Sequence, residues 1–165
     1  MVKSEEAMEA NQQFKTFEDL ETYKAARAFR KGMYAVSRRL PSFEKFELAS
    51  QIRRAAVSLT NNIAEGHGRW HWLDHIKFLL QARGSLQELI DDLNTREDES
   101  YIPAPEVAEL KQRGWHVLRL INGYLRHLRD RKTGDSFTLH DAPTPYGDTD
   151  DDLEPWIASL TFEPR

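Results

Sequence analysis

Apolar residues recur every three or four positions along four stretches of this chain, and that spacing places each set on one side of an α-helix. The stretches are 17–40, 43–64, 70–96 and a fourth that begins between Pro103 and Pro105 and ends near residue 133. All seven prolines lie outside the interiors of these helices, where a proline would remove a backbone hydrogen bond. The pattern therefore predicts four amphipathic helices.

The local signals at the ends of these stretches agree with that prediction. Thr16 followed by Asp19 resembles a capping box, and Ser42 is a candidate N-cap for the second helix. Short connections after the first two helices favour antiparallel neighbours, and no part of 14–133 alternates apolar and polar residues as a strand does. The predicted fold is all-α, an antiparallel up-down-up-down four-helix bundle over residues 14–133.

Two further regions flank the predicted bundle. Residues 1–13 are predicted to form a flexible N-terminal segment, and residues 134–165 an acidic, largely irregular C-terminal tail. The net charge of −4 is uneven, because residues 14–133 carry +5 whereas residues 134–165 hold eight acidic residues and one Arg, for −7. The chain is therefore a basic body with an acidic tail.

Composition excludes several classes of protein. There is no Cys, so disulfides and thiolate metal sites are impossible. The N-terminal residues lack the basic start and apolar run of a secretory signal. The sequence also contains no run of 18 apolar residues, which is about the length needed to span a membrane. With 39% hydrophobic and 30% charged residues, we expect a cytoplasmic protein that makes no membrane contact.

Basic residues recur on one face of the first helix and along the fourth. Arrays of this kind bind phosphates through counterion release, although an ordinary solvated helix face has the same appearance. The candidate nucleic-acid contacts, to RNA or DNA, are Lys24, Arg27, Lys31, Arg38, Arg119, Arg126 and Arg129.

Residues 46–68 read FELASQIRRAAVSLTNNIAEGHG, and a second short motif is Gly84-Ser85-Leu86 followed by Glu88 and Leu89. Together they resemble the bacterial four helix bundle protein family. That family includes proteins encoded in intervening sequences of large-subunit rRNA genes and accessory variability determinants of diversity-generating retroelements. The resemblance covers about residues 14–131. It implies a bundle that assembles as ring-like homopentamers, without catalytic activity, cofactor or small-molecule substrate. For the retroelement members it also implies binding to nucleic acid and to a reverse transcriptase.

Six polar or small residues of the motif are assigned structural or oligomer-contact roles. They are Gln51, Arg53, Arg54, Asn62, Glu65 and Gly66. Gly66 is expected to adopt a left-handed conformation that ends the second helix. The two arginines are expected to pair with carboxylates of the third helix, from Glu88, Asp91 or Asp92; phosphate contact is the alternative.

His67, His71 and His75 are spaced by four, as metal ligands on a helix can be. The pattern lacks the Glu of an H-E-x-x-H motif, and Gly68 is expected to take His67 off the regular helix. No metal and no catalytic residue are therefore predicted, and an enzyme or metalloprotein based on these histidines is the weakest of three hypotheses.

The tail combines acidic with large apolar residues. The candidate docking residues are Asp150, Asp151, Trp156, Ile157 and Phe162. The target is the basic face of its own bundle, a neighbouring subunit or another protein; a disordered appendage is the alternative. The leading functional hypothesis is a non-enzymatic, oligomeric adaptor that binds nucleic acid and a reverse transcriptase. The alternative is a protein-binding scaffold that uses the tail and binds no nucleic acid.

Overall fold

A computed structural model describes residues 16–69 and 71–130 of the 165-residue chain. It confirms the all-α prediction, because four long helices account for most of these residues and none of them is in a strand. The helices are α1 (Glu21–Ser37), α2 (Leu48–Gly68), α3 (Trp72–Asp98) and α4 (Ala104–Asp130). The predicted segment 1–13, the predicted tail 134–165 and Trp70 lie outside the described residues.

The helices form an up-down-up-down bundle. Each packs against the next along the chain and α4 returns to α1, so that α1 lies diagonally opposite α3. The predicted apolar stripes meet in the centre, where Phe29, Ile52, Leu86 and Ile121 are at most 1% exposed. No helix among the described residues is both long and apolar enough to cross a membrane.

The first predicted helix is divided into two pieces. Thr16 and Asp19 form the expected capping box, with the Thr16 amide donating to Asp19 Oδ2 at 2.7 Å, but the box closes only a 3₁₀ turn, Phe17–Asp19. Leu20 then adopts an extended conformation and precedes α1 as its N-cap residue. The apolar spacing continues across this break, which is why periodicity alone does not detect it.

Other helix ends also differ from the prediction. Ser42 begins a short 3₁₀ turn, Ser42–Lys45, and α2 starts only at Leu48. At the end of α3, Ser100 has a φ of 57°, in the left-handed region, and the Tyr101 amide donates to the Arg96 carbonyl at 3.0 Å. This is the hydrogen bond of a Schellman-type helix end, here with Ser where glycine is common.

Gly66 does not end α2 in a left-handed conformation, and that expectation was wrong. None of the described glycines has a positive φ, and α2 continues through Gly66 to Gly68. The residue is buried because α3 passes directly over it: a Cβ placed there would lie 3.0 Å from Phe78 Cβ and 3.2 Å from the His75 carbonyl oxygen. A hydrogen at this position is therefore a packing requirement of the α2–α3 contact.

Replacing Gly66 by alanine is expected to destabilise the fold by about 1–3 kcal/mol, because the clash with α3 exceeds the gain in helix propensity. Gly84→Ala is the matched control, since a Cβ there meets nothing within 4 Å. It is expected to stabilise by about 0.5–1 kcal/mol. Urea denaturation of both variants measures the difference. Equal changes of the same sign in the free energy of unfolding would mean that α2 and α3 can move apart at Gly66 without cost.

Candidate nucleic-acid interface

Three predicted basic residues of α1 lie together on its solvent side. Lys24, Arg27 and Lys31 are all exposed and surround Ala28 in a shallow groove. Lys24 Nζ donates to Glu21 Oε1 at 2.8 Å, and this hydrogen bond raises the pKa of Lys24. Arg27 and Lys31 have no hydrogen bond or ion pair within the described part of the chain, so their charges face solvent.

The antiparallel pairing of α1 with α4 brings Arg119 to the same side of the bundle. A Cβ on Gly32 would lie 3.1 Å from Leu110, and one on Gly114 would lie 3.4 Å from Phe29. This register places Arg119 beside the Lys24 turn of α1.

A second groove runs between the two helices, next to the first, and Ala28 lines both. It has a volume of about 830 Å³, and we call it the α1/α4 groove. Its apolar lining comes from Ala25, Ala28, Phe29, Val117 and Leu120, and its polar rim from Glu21, Glu109, Gln112, Arg113, His116 and Arg119.

The remaining predicted phosphate contacts lie away from this groove. Arg126 and Arg129 are about two and three turns further along α4 than Arg119, and both take part in other interactions, so neither is a free cation. Arg38 lies at the opposite end of α1, with its guanidinium 6.0 Å from the ring centre of Tyr34. The structure therefore brings together Lys24, Arg27, Lys31 and Arg119, and separates the other three.

Two polar residues of the predicted motif, Gln51 and Ser58, hold α2 against α3. Gln51 Nε2 donates to Asp92 Oδ1 at 3.3 Å, and the hydroxyls of Ser58 and Ser85 are 2.8 Å apart. Asn62 Nδ2 donates to the Ser58 carbonyl at 2.9 Å and to its hydroxyl at 3.0 Å. The two sequence motifs therefore meet in one polar layer between the helices.

Arg53 and Arg54 were expected to pair with carboxylates of α3, but they do not. Arg53 donates to the Lys45 carbonyl at 3.2 Å, and Arg54 donates to Ser50 Oγ at 3.3 Å. The reason is their position on α2: the Asp92 carboxylate faces Gln51, whereas the two arginines line a shallow groove towards Tyr34 of α1. Glu65 forms an ion pair with Arg69, one turn later on its own helix.

The three histidines do not converge. The rings of His67 and His75 stack with centres 6.3 Å apart, whereas the His71 ring lies over Trp72. Burial, with a smaller contribution from His67, lowers the pKa of His75 to about 4, so it is neutral at physiological pH. Within residues 16–69 and 71–130, no group of three or more His, Asp or Glu side chains could hold a metal ion.

Two buried charged residues, which form no ion pair with each other, were missed by the sequence reasoning. Arg96 is 0% exposed, Asp92 is 4% exposed, and they lie one turn apart on α3. Burial raises the pKa of Asp92 to about 6 and lowers that of Arg96 to about 10, and the charge of each opposes the shift of the other. The signal was present, since Arg96 continues the buried stripe of Leu86, Leu89 and Leu93.

Comparison with known proteins adds one finding to this geometry. A family model described as 23S rRNA-intervening sequence protein matches residues 18–123, which is more than half of the chain. The match includes Lys24, Arg27, Lys31 and Arg119, and excludes Arg126, Arg129 and everything that follows. No curated protein matches the sequence.

Proposed function

The chain belongs to the family of 23S rRNA-intervening sequence proteins, and from that premise we propose that it is a non-enzymatic RNA-binding protein. The contact surface is the solvent side of α1 together with Arg119 of α4. One observation carries the proposal: Arg27, Lys31 and Arg119 are exposed, line two adjoining grooves and have no ion-pair partner among the described residues.

The spacing of these cations suits a nucleic-acid backbone. Arg27 and Lys31 are one helical turn apart, a rise of about 6 Å, so both face the same side and can contact one strand together. Neither residue has to break an ion pair before it binds a phosphate. Arg39, in contrast, is held by Glu106 through two hydrogen bonds of 2.5 and 3.0 Å, which raise the pKa of Arg39.

The finer assignment rests on the family resemblance. It makes the protein a cytoplasmic accessory subunit of a retroelement-type system, which assembles with copies of itself, as a homopentamer, and binds a reverse transcriptase. The carboxylate-free groove of Arg53, Arg54 and Tyr34 offers a second basic surface for a partner. In the alternative, a scaffold without nucleic-acid binding, the acidic C-terminal tail binds the protein partner.

The test is a salt titration of RNA binding with two charge-matched variants of the full chain. We expect Arg27→Ala/Lys31→Ala to weaken binding of a labelled RNA hairpin roughly tenfold at low salt. The slope of log K against log salt should fall by about 1.5, because two phosphate contacts are lost. Lys77→Ala/Arg83→Ala removes the same charge from α3, diagonally opposite α1, and should change neither quantity.

Two outcomes would contradict the proposal. Wild-type protein without salt-dependent RNA binding would leave the scaffold alternative, and equal losses in both variants would mean that general charge, and not the α1 face, governs affinity. A DNA hairpin in parallel distinguishes RNA from nucleic acid in general. Light scattering on the same samples measures the number of subunits.

A further inference from the structure

The α1/α4 groove has an apolar lining, which phosphate binding does not explain. Its floor is apolar, with Phe29 and Val117 at most 1% exposed, and its walls include the half-buried Ala25 and Leu120 and the exposed Ala28. Ala25 and Ala28 keep the groove open above Phe29, because neither side chain extends beyond its Cβ atom. A groove of this size and lining fits bulky apolar side chains.

The surface formed by the α1/α4 groove and the adjoining groove on α1 is predominantly positive. Lys24, Arg27 and Lys31 line the adjoining groove, and Arg113 and Arg119 line the α1/α4 groove. Three carboxylates accompany these five cations, from Glu18, Glu21 and Glu109, and two of them are already paired: Glu21 with Lys24 and Glu109 with Arg113. An occupant that complements this surface therefore carries large apolar side chains next to a run of acidic ones.

The chain itself contains one such segment. Acidic residues occupy most of 148–154, and Trp156, Ile157, Leu160 and Phe162 follow directly. We propose that residues 148–162 dock in the α1/α4 groove of the same molecule. The apolar side chains then fill the space over Phe29 and Val117, and the acidic run lies against the cations of the rim.

The length of the intervening chain suits this docking. The groove centres near His116, which lies about 21 Å along α4 from the helix end at Asp130, at 1.5 Å per residue. Residues 131–155 could span up to about 80 Å if fully extended. A random coil of 25 residues has a typical end-to-end distance of about 25–30 Å. A tether matched to its span gives a millimolar effective concentration, which favours the chain's own tail over a separate partner.

The absence of cysteine makes a direct test simple. Ala28→Cys, on the groove wall, is combined with Ser159→Cys in the tail, and the rate of disulfide formation under mild oxidation is measured in the full chain. The control combines Ser159→Cys with Gln87→Cys, an exposed position on α3, diagonally opposite α1. We expect the groove pair to form an intramolecular disulfide at least tenfold faster than the control pair.

A second variant separates specific docking from random encounters. Trp156→Ala/Ile157→Ala in the groove pair should slow its crosslinking to the control rate. Equal rates for the groove and control pairs would overturn the proposal. So would crosslinked dimers whose yield rises with protein concentration, since they would place the tail in a second copy.

Docking has a consequence that rests on the proposed function: the acidic run covers Arg27, Lys31 and Arg119, so the tail and RNA compete. The disulfide-locked protein should bind the RNA hairpin at least tenfold more weakly than the same protein after reduction. Equal binding in both forms would overturn the competition. Fast crosslinking without RNA binding in either form would count against the proposed function and leave the docking supported.

Discussion

Replacing Asp92 and Arg96 together, by asparagine and methionine, is expected to stabilise the fold by about 1–4 kcal/mol at pH 7.5, because burial disfavours the charged form of both side chains. The substituted amide can still accept the hydrogen bond from Gln51, and methionine leaves no charge at the buried position of Arg96. None of the three guanidinium nitrogens of Arg96 has a hydrogen-bond partner among the described residues. An unbalanced buried cation is among the most destabilising changes that a core can undergo.

The single variant Asp92→Asn leaves the buried Arg96 cation in place and serves as the comparison. Asp92→Asn/Arg96→Met keeps the approximate volume of the pair and eliminates the buried cation, so we expect the double variant to be more stable than Asp92→Asn alone. Chemical denaturation at pH 7.5, where both native groups are ionised, measures the two values. A double variant less stable than the single one would mean that Arg96 stabilises the core independently of Asp92.

His75→Phe is expected to make the protein more resistant to acid. The buried His75 has a pKa of about 4, whereas an unfolded histidine titrates near 6.5. Between these values the unfolded chain takes up a proton that the folded chain does not, so the wild-type free energy of unfolding decreases as the pH falls from about 6.5 to 4. By pH 4 the loss reaches about 2–3 kcal/mol, and phenylalanine at this position abolishes it.

The comparison is made as a difference between the two proteins at each pH. Asp92 titrates in part of the same window with the opposite sign, because its pKa is raised to about 6 and the folded state takes up its proton first. Since both proteins contain Asp92, the difference in urea stability isolates His75. His67, stacked on His75, and Tyr124, whose ring meets it edge-on with centres 5.0 Å apart, are also common to both. If the free energies of unfolding of wild type and His75→Phe differed by the same amount at every pH from 7.5 to 4.5, the prediction would be contradicted.

The sequence predicts the four helices and their buried sides well, because apolar spacing records directly which side of a helix packs. Ile52, Leu59 and Ile63 are fully buried as expected. Helix ends are predicted less well, since they depend on contacts between helices. At Gly66 the glycine signal was correctly noticed but was attributed to a turn, because close approach of α3 leaves no mark in the sequence of α2.

The candidate site is predicted in part. Lys24, Arg27 and Lys31 share a face because their spacing follows the helix repeat. The neighbouring position of Arg119 depends on the register between α1 and α4, which no local pattern specifies. The pairing of Arg53 and Arg54 was mispredicted for a similar reason, because facing residues on two helices follow from their relative rotation.

The hydroxyl contact between Ser58 and Ser85 has a consequence for the connection between α2 and α3. The contacts of Gln51 with Asp92 and of Ser58 with Ser85 belong to the same antiparallel register, because the two pairs of residue numbers have the same sum. Side chains far from the turn therefore define the alignment of the two helices. The length of the turn does not have to set the register of the two helices. Residues can be added to or removed from it, and the two helices should still meet in the same alignment.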